Sequence, residues 1–170
     1  MEPHSKVESY PRRSPERWLR GYLRDHFAGS IAAVDIAKRR RRAGSSGTAS
    51  ASLDRFIRGV EEDQDRLRIL MRELGIEPSF VKGAVAVGAG WLREAQSAIE
   101  PSDLGELRDL ELLLMGVRGK ELLWLTLERI GILEASSAQF LLERAADQRS
   151  VLERLHALAV ADSGDRTMED

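Results

Sequence analysis

The sequence predicts an all-α protein, an antiparallel bundle of four main helices. Apolar residues recur at three- and four-residue spacing through four long segments. Runs rich in Val, Ile, Thr and Tyr, which would read as strands, are absent. Charged residues fill 32% of the 170 positions, as expected where long helices turn one face to water. A chain of this length reads as one domain with room for a substantial core.

The elements follow in order. Residues 1–13 hold two prolines and no periodicity, and read as a disordered arm. Ser14-Pro15-Glu16 opens the first helix: serine caps, proline is tolerated in the first turn, and glutamate suits the positive end of the dipole. The helix runs to about Arg41, with Leu19, Leu23, Phe27 and Val34 on one face and Tyr22 and Ile36 at its edge. The basic run Lys38 to Arg42 suits a helix C-terminus better than a phosphate-binding patch, and GSSGTAS after it reads as a flexible loop.

The second helix is expected from Ser52 to Leu74, with Gly75 as its stop. Leu53, Phe56, Ile57, Val60, Leu67, Leu70, Met71 and Leu74 form its stripe. Glu77-Pro78-Ser79 begins a shorter helix to about Ala95, whose inner face is Phe80, Val81, Ala84, Gly88, Trp91 and Leu92. The third main helix follows Pro101-Ser102-Asp103 and runs to about Arg129; it is apolar over more than half its circumference and is expected to be the most buried. Gly131 ends it. The fourth starts at Ser136 or Ser137 and ends by Ala161, with Leu141, Ala145, Leu152, Leu155 and Ala159 inward. Residues 162–170 read as a disordered tail. Short connections within each pair and a long one between the pairs describe two antiparallel hairpins joined by a crossover that carries the extra short helix.

Composition excludes several function classes. A net charge of −2 gives no overall electrostatic case for nucleic acid or a membrane surface. No uncharged apolar run approaches the ~20 residues of a membrane span. The N-terminal residues contain no apolar signal core, and the chain has no cysteine, which removes disulfides, thiolate metal sites and cysteine nucleophiles; both fit a cytoplasmic protein. The acidic cluster at residues 61–65 lacks the glycine and spacing of a calcium loop, and GAVAVGAG at residues 83–90 follows no strand, so it is not a phosphate loop.

On this topology, residues 14–161 resemble the ferritin-like superfamily. The segments YLRDHFAGSIAAVDIAKR, VEEDQDRLRILMRELGIEPS and LELLLMGVRGKELLW are also similar to those of a group of uncharacterised bacterial proteins. Active ferritin-like proteins hold two metals with a glutamate on each of two helices and Glu-x-x-His on each of the other two. The matching positions here are His26 or Ser30 on the first helix, and Val60/Asp63 or Glu61/Gln64 on the second. They are Glu111 or Glu121 on the third and Ala145/Gln148 on the fourth. The resemblance therefore implies a degenerate metal site, without iron storage or oxidase activity and without a cofactor.

Helical wheels put a set of polar residues on apolar faces: His26, Ser30, Asp63, Gln64, Glu111, Arg118, Glu121 and Gln148. Buried polar groups must satisfy one another or bind something. The first expectation is a closed network, with Arg118 paired to Glu121, Glu111 or Asp63, and His26 bonded to Gln148 or Gln64; its arginine fork would supply the positive charge a metal otherwise would. The alternative is one metal held by His26, Asp63 and Glu111 or Glu121. Three functions are open: a non-catalytic bundle in protein interaction, as a homo-oligomer such as a dimer; a metal-binding protein; or a small-molecule binder with its ligand between the helices.

Overall fold

The computed structural model describes residues 17–43, 47–77 and 103–167. Four helices fill them: α1 (Arg17–Arg42), α2 (Gly47–Glu73), α3 (Asp103–Arg129) and α4 (Ala135–Thr167). Among the described residues there is no strand. The expected arm at 1–13, the Ser14-Pro15-Glu16 start, the short helix at 79–95 and residues 168–170 lie outside the described residues.

Cross-helix pairs fix the arrangement. Along α1 and α2, Arg68 stands over the Phe27 ring at 5.2 Å, Lys38 meets Glu61 at 2.8 Å and Arg41 meets Asp54 at 2.5 Å. Ascending numbers on one helix meet descending numbers on the other, so the two are antiparallel. The same logic holds for α1 and α3 (Tyr22 with Thr126, Arg40 with Glu106) and for α3 and α4 (Glu111 with His156, Lys120 with Gln148). It holds again for α2 and α4, where Asp63 meets Arg144 and Gly59 meets Gln148. The end of α2 therefore lies beside the start of α1, and the start of α3 lies beside the end of α1. The intervening chain joins opposite ends of the bundle.

The glycine stops behave as their chemistry requires. Gly75 and Gly131 have φ of 66° and 71°. At the first, Ile76 N–H donates to Met71 C=O (2.8 Å) and Gly75 N–H to Arg72 C=O (3.0 Å). At the second, Ile132 N–H donates to Leu127 C=O (2.9 Å) and Gly131 N–H to Glu128 C=O (2.9 Å). Both are Schellman closures, which satisfy the last carbonyls of a helix and need a left-handed residue. The side chain of Ile76 then folds back into the core.

Helices α2 and α4 differ in their bounds from the sequence reading. Helix α2 begins at Gly47, not Ser52, because Ala49 packs against the core and extends the helix into the expected loop. Helix α4 begins at Ala135, one residue early, after Ala138 N–H closes on Glu134 C=O (2.9 Å), and runs on to Thr167 past Ala161. The basic end of α1 does more than complement its dipole: Lys38, Arg40 and Arg41 each pair with an acid on α2 or α3.

The apolar stripes form two core clusters. One gathers Val34 and Ala37 with Phe56, Leu113 and Leu152; the other gathers Leu23 and Phe27 with Met71, Trp124 and Leu141. Each draws on all four helices. Between them lies a level of polar and small residues.

Candidate functional site

Asp63 is the centre of that level. It follows Val60 by three residues and precedes Leu67 by four, so the stripe of α2 carries it inward, where it is 3% exposed. Its Oδ2 accepts from Lys120 Nζ on α3 (2.5 Å) and from Gln148 Nε2 on α4 (3.1 Å), while Oδ1 accepts from Arg144 Nη2 on α4. Lys120 Nζ also donates to Gln148 Oε1. One carboxylate thus joins three helices. Arg144 reaches past it to the exposed Glu62 at 2.9 Å. Burial pushes the Lys120 ammonium below the ordinary lysine value, against the opposing pull of Asp63.

Lys120 replaces Arg118 as the interior cation. The expected Arg118–Glu121 pair forms, Nη1 to Oε2 at 2.6 Å, but at the rim: the Arg118 side chain is 61% exposed. Glu121 is buried between it and Arg149, whose Nη1 donates to Oε1 at 2.8 Å. Glu111 is outside the interior, with its side chain 60% exposed and 3.5 Å from His156 Nε2. The one Glu-x-x-His spacing in the sequence, Glu153 to His156, falls on this same outer groove, where Glu153 is exposed and pairs with Arg149. Ser30 donates to Phe27 C=O within its own helix at 2.7 Å.

Beside the charged level lies a cavity of about 340 Å³ walled by α1, α2 and α3. Its lining is mainly apolar, including Ile36, Phe56, Val60, Leu113, Val117 and Trp124. The polar groups on it are Asp25, His26, Ser30, Asp63, Gln64 and Lys120, with the Tyr22 hydroxyl and the Trp124 indole N–H carried by aromatic rings. Sequence explains the space. Helix α1 offers Gly29, Ala32 and Ala33 where α3 offers Gly116 and Gly119, so two helix faces carry little to fill the gap. The open side lies between these helices, where Gly29 and Gly116 are exposed.

His26 does not bond to Gln148 or Gln64. Its ring stands edge-on to Tyr22 at 4.5 Å between centroids and lies against the backbone of Gly119, where an added Cβ would come 3.8 Å from Cε1. Among the described residues its ring nitrogens have no hydrogen-bond partner. Burial lowers its pKa from 6.5 despite the opposing charge of Asp25, which keeps the imidazole neutral near pH 7. The indole N–H of Trp124, also on the cavity wall, is buried without an acceptor.

The donor set proposed for a metal is not assembled. Glu111 and Glu121 sit on the α3–α4 side, away from His26, and Asp63 is committed to three donors. Among the described residues no three His, Asp or Glu gather where an ion could be held. These residues do not fit the paired-metal chemistry of active ferritin-like proteins.

No family model, no curated protein and no solved structure matches the chain. The site must be read from its own chemistry. It offers a shaped apolar volume, a neutral imidazole open to it and a desolvated ammonium in its wall. Among the described residues no helix is long and apolar enough to cross a membrane.

Proposed function

We propose that this protein is a non-catalytic binder of a small apolar molecule, held in the cavity among α1, α2 and α3. The observation that carries the reading is the cavity itself, at about 340 Å³. Ligand pockets fall at roughly 300–1,000 Å³, are mostly apolar and carry a few convergent polar groups. A sealed core would have closed around Gly29 and Gly116 instead.

The four antiparallel neighbours and the end-to-end connection between α2 and α3 support a ferritin-like reading of the fold. On that reading, Asp63, Lys120 and Gln148 stand at the level where active members hold metal, with lysine as the cation. The free space beside this level is then what remains of a former centre.

Saturable binding of a neutral fluorescent probe, N-phenyl-1-naphthylamine, tests the proposal. One probe per chain is expected. Gly116→Leu, which adds a side chain where nothing stands within 4 Å, should block it while leaving the helical signal intact. Absent or unsaturable binding would sink the idea.

Self-association is a second reading. Met115 and Leu122, seven residues apart on α3, are both exposed. The short-helix face expected at 80–95, with Ala84 and Gly88, lies outside the described residues. Sedimentation showing a monomer at high concentration would remove it.

A further inference from the structure

We propose that the ligand is an amphipathic monocarboxylic acid, with its carboxylate on Lys120 and His26 and its apolar body between α1 and α3. This rests on the cavity being a binding site, and goes on to name the class of molecule. An ammonium has three donors. Lys120 places one on Asp63 and one on Gln148, and among the described residues the third has no acceptor. The same side chain is only 12% exposed and forms part of the cavity wall, so an acceptor within the cavity is what the third N–H can meet.

The second donor is His26. Its ring lies against Gly119, the residue before Lys120, and both the imidazole and Lys120 belong to the wall of the same cavity. A neutral imidazole donates one N–H, so the two groups offer one hydrogen bond to each oxygen of a carboxylate.

Charge selects the anion. Asp63 is buried and faces two cations, Lys120 and Arg144; Glu121, the other buried acid acting on Lys120, is itself paired with Arg118 and Arg149, and Glu62, which shares Arg144, is exposed and screened by water. Three donors already fill three of the roughly four acceptor sites of the Asp63 carboxylate, two of them cationic, so a cationic ligand gains little there. The remaining polar groups of the wall, Tyr22, Ser30, Gln64 and the Trp124 indole, are neutral, and Asp25 is exposed to water. The rest of the lining accepts only an apolar body.

The experiment displaces N-phenyl-1-naphthylamine with decanoic acid and with decanol at pH 8. A hydrogen bond to a buried charge predicts that the acid competes about tenfold better or more. Lys120→Met should weaken decanoate far more than decanol. If that variant does not fold, the comparison of acid with alcohol on the wild-type protein decides alone. Equal displacement by both, with the probe bound, overturns the acid preference and leaves the cavity reading standing. No probe binding and no displacement overturns both.

Discussion

Gln148 rests on the bare α-carbon of Gly59: a β-carbon there would stand 2.7 Å from Nε2 of the amide. That nitrogen is the donor that reaches Asp63 Oδ2 from α4. The glycine lets α2 and α4 approach closely enough for the amide to serve both Asp63 and Lys120.

Gly59→Ala should therefore destabilise the protein, although alanine favours a helix by about 1 kcal/mol. The methyl displaces an amide whose two hydrogen bonds are worth about 0.5–1.5 kcal/mol each, or more where charged. In a Gln148→Ala background the same change meets no amide and should stabilise. A double-mutant cycle in urea measures the difference; additive effects would show that the contact carries no energy.

Asp63→Asn keeps the shape but removes the carboxylate paired with Lys120 and leaves Arg144 only the exposed Glu62. Breaking a buried pair by removing one partner costs about 3–5 kcal/mol. Asp63→Leu combined with Lys120→Met should recover much of that loss. Chemical denaturation of the wild type and the two variants reads the ordering, and a cost for Asp63→Asn under about 1 kcal/mol contradicts the geometry.

Stability should fall as the solution is acidified below about pH 6.5. Burial lowers the folded-state pKa of His26, so the unfolded chain takes up its proton first. The stability from neutral His26 is complete above 6.5 and declines as pH drops toward the folded value. Melting temperatures of wild type and His26→Phe across this window isolate the effect. A slope unchanged in the variant assigns the titration elsewhere.

Gly29→Ala and Gly116→Ala place methyls where nothing lies within 4 Å. Each should stabilise the protein by about 1 kcal/mol through helix propensity alone. Thermal melts check this. A loss of stability at either position would mean that the α1–α3 face is more tightly covered than its geometry indicates.

Much of the architecture was legible in the sequence because core-facing helices write their contacts as a spacing. The stripes on α1, α2 and α4 named Leu23, Phe56 and Leu152 correctly, and Asp63 and Gln148 were found as polar interruptions of those stripes. Lys120 was missed although the signal was present: Leu113, Val117, Lys120, Trp124 and Leu127 follow spacings of four, three, four and three. Lysine is ordinarily sent outward on charge, and its long stem makes either placement feasible. Arg118, two positions earlier, lies round the helix on the rim. The cavity was not legible at all. Gly29, Ala33, Gly116 and Gly119 are visible as small residues, but an empty volume depends on how far apart two backbones settle, and no pattern along one helix records that distance.

The core is divided into two clusters, one toward each end of the bundle. Each cluster takes side chains from all four helices, so neither hairpin completes either half by itself. The halves communicate through the thin stratum of Asp63 and Lys120. Truncating a side chain in either cluster therefore loosens all four helices at that end, not one hairpin alone.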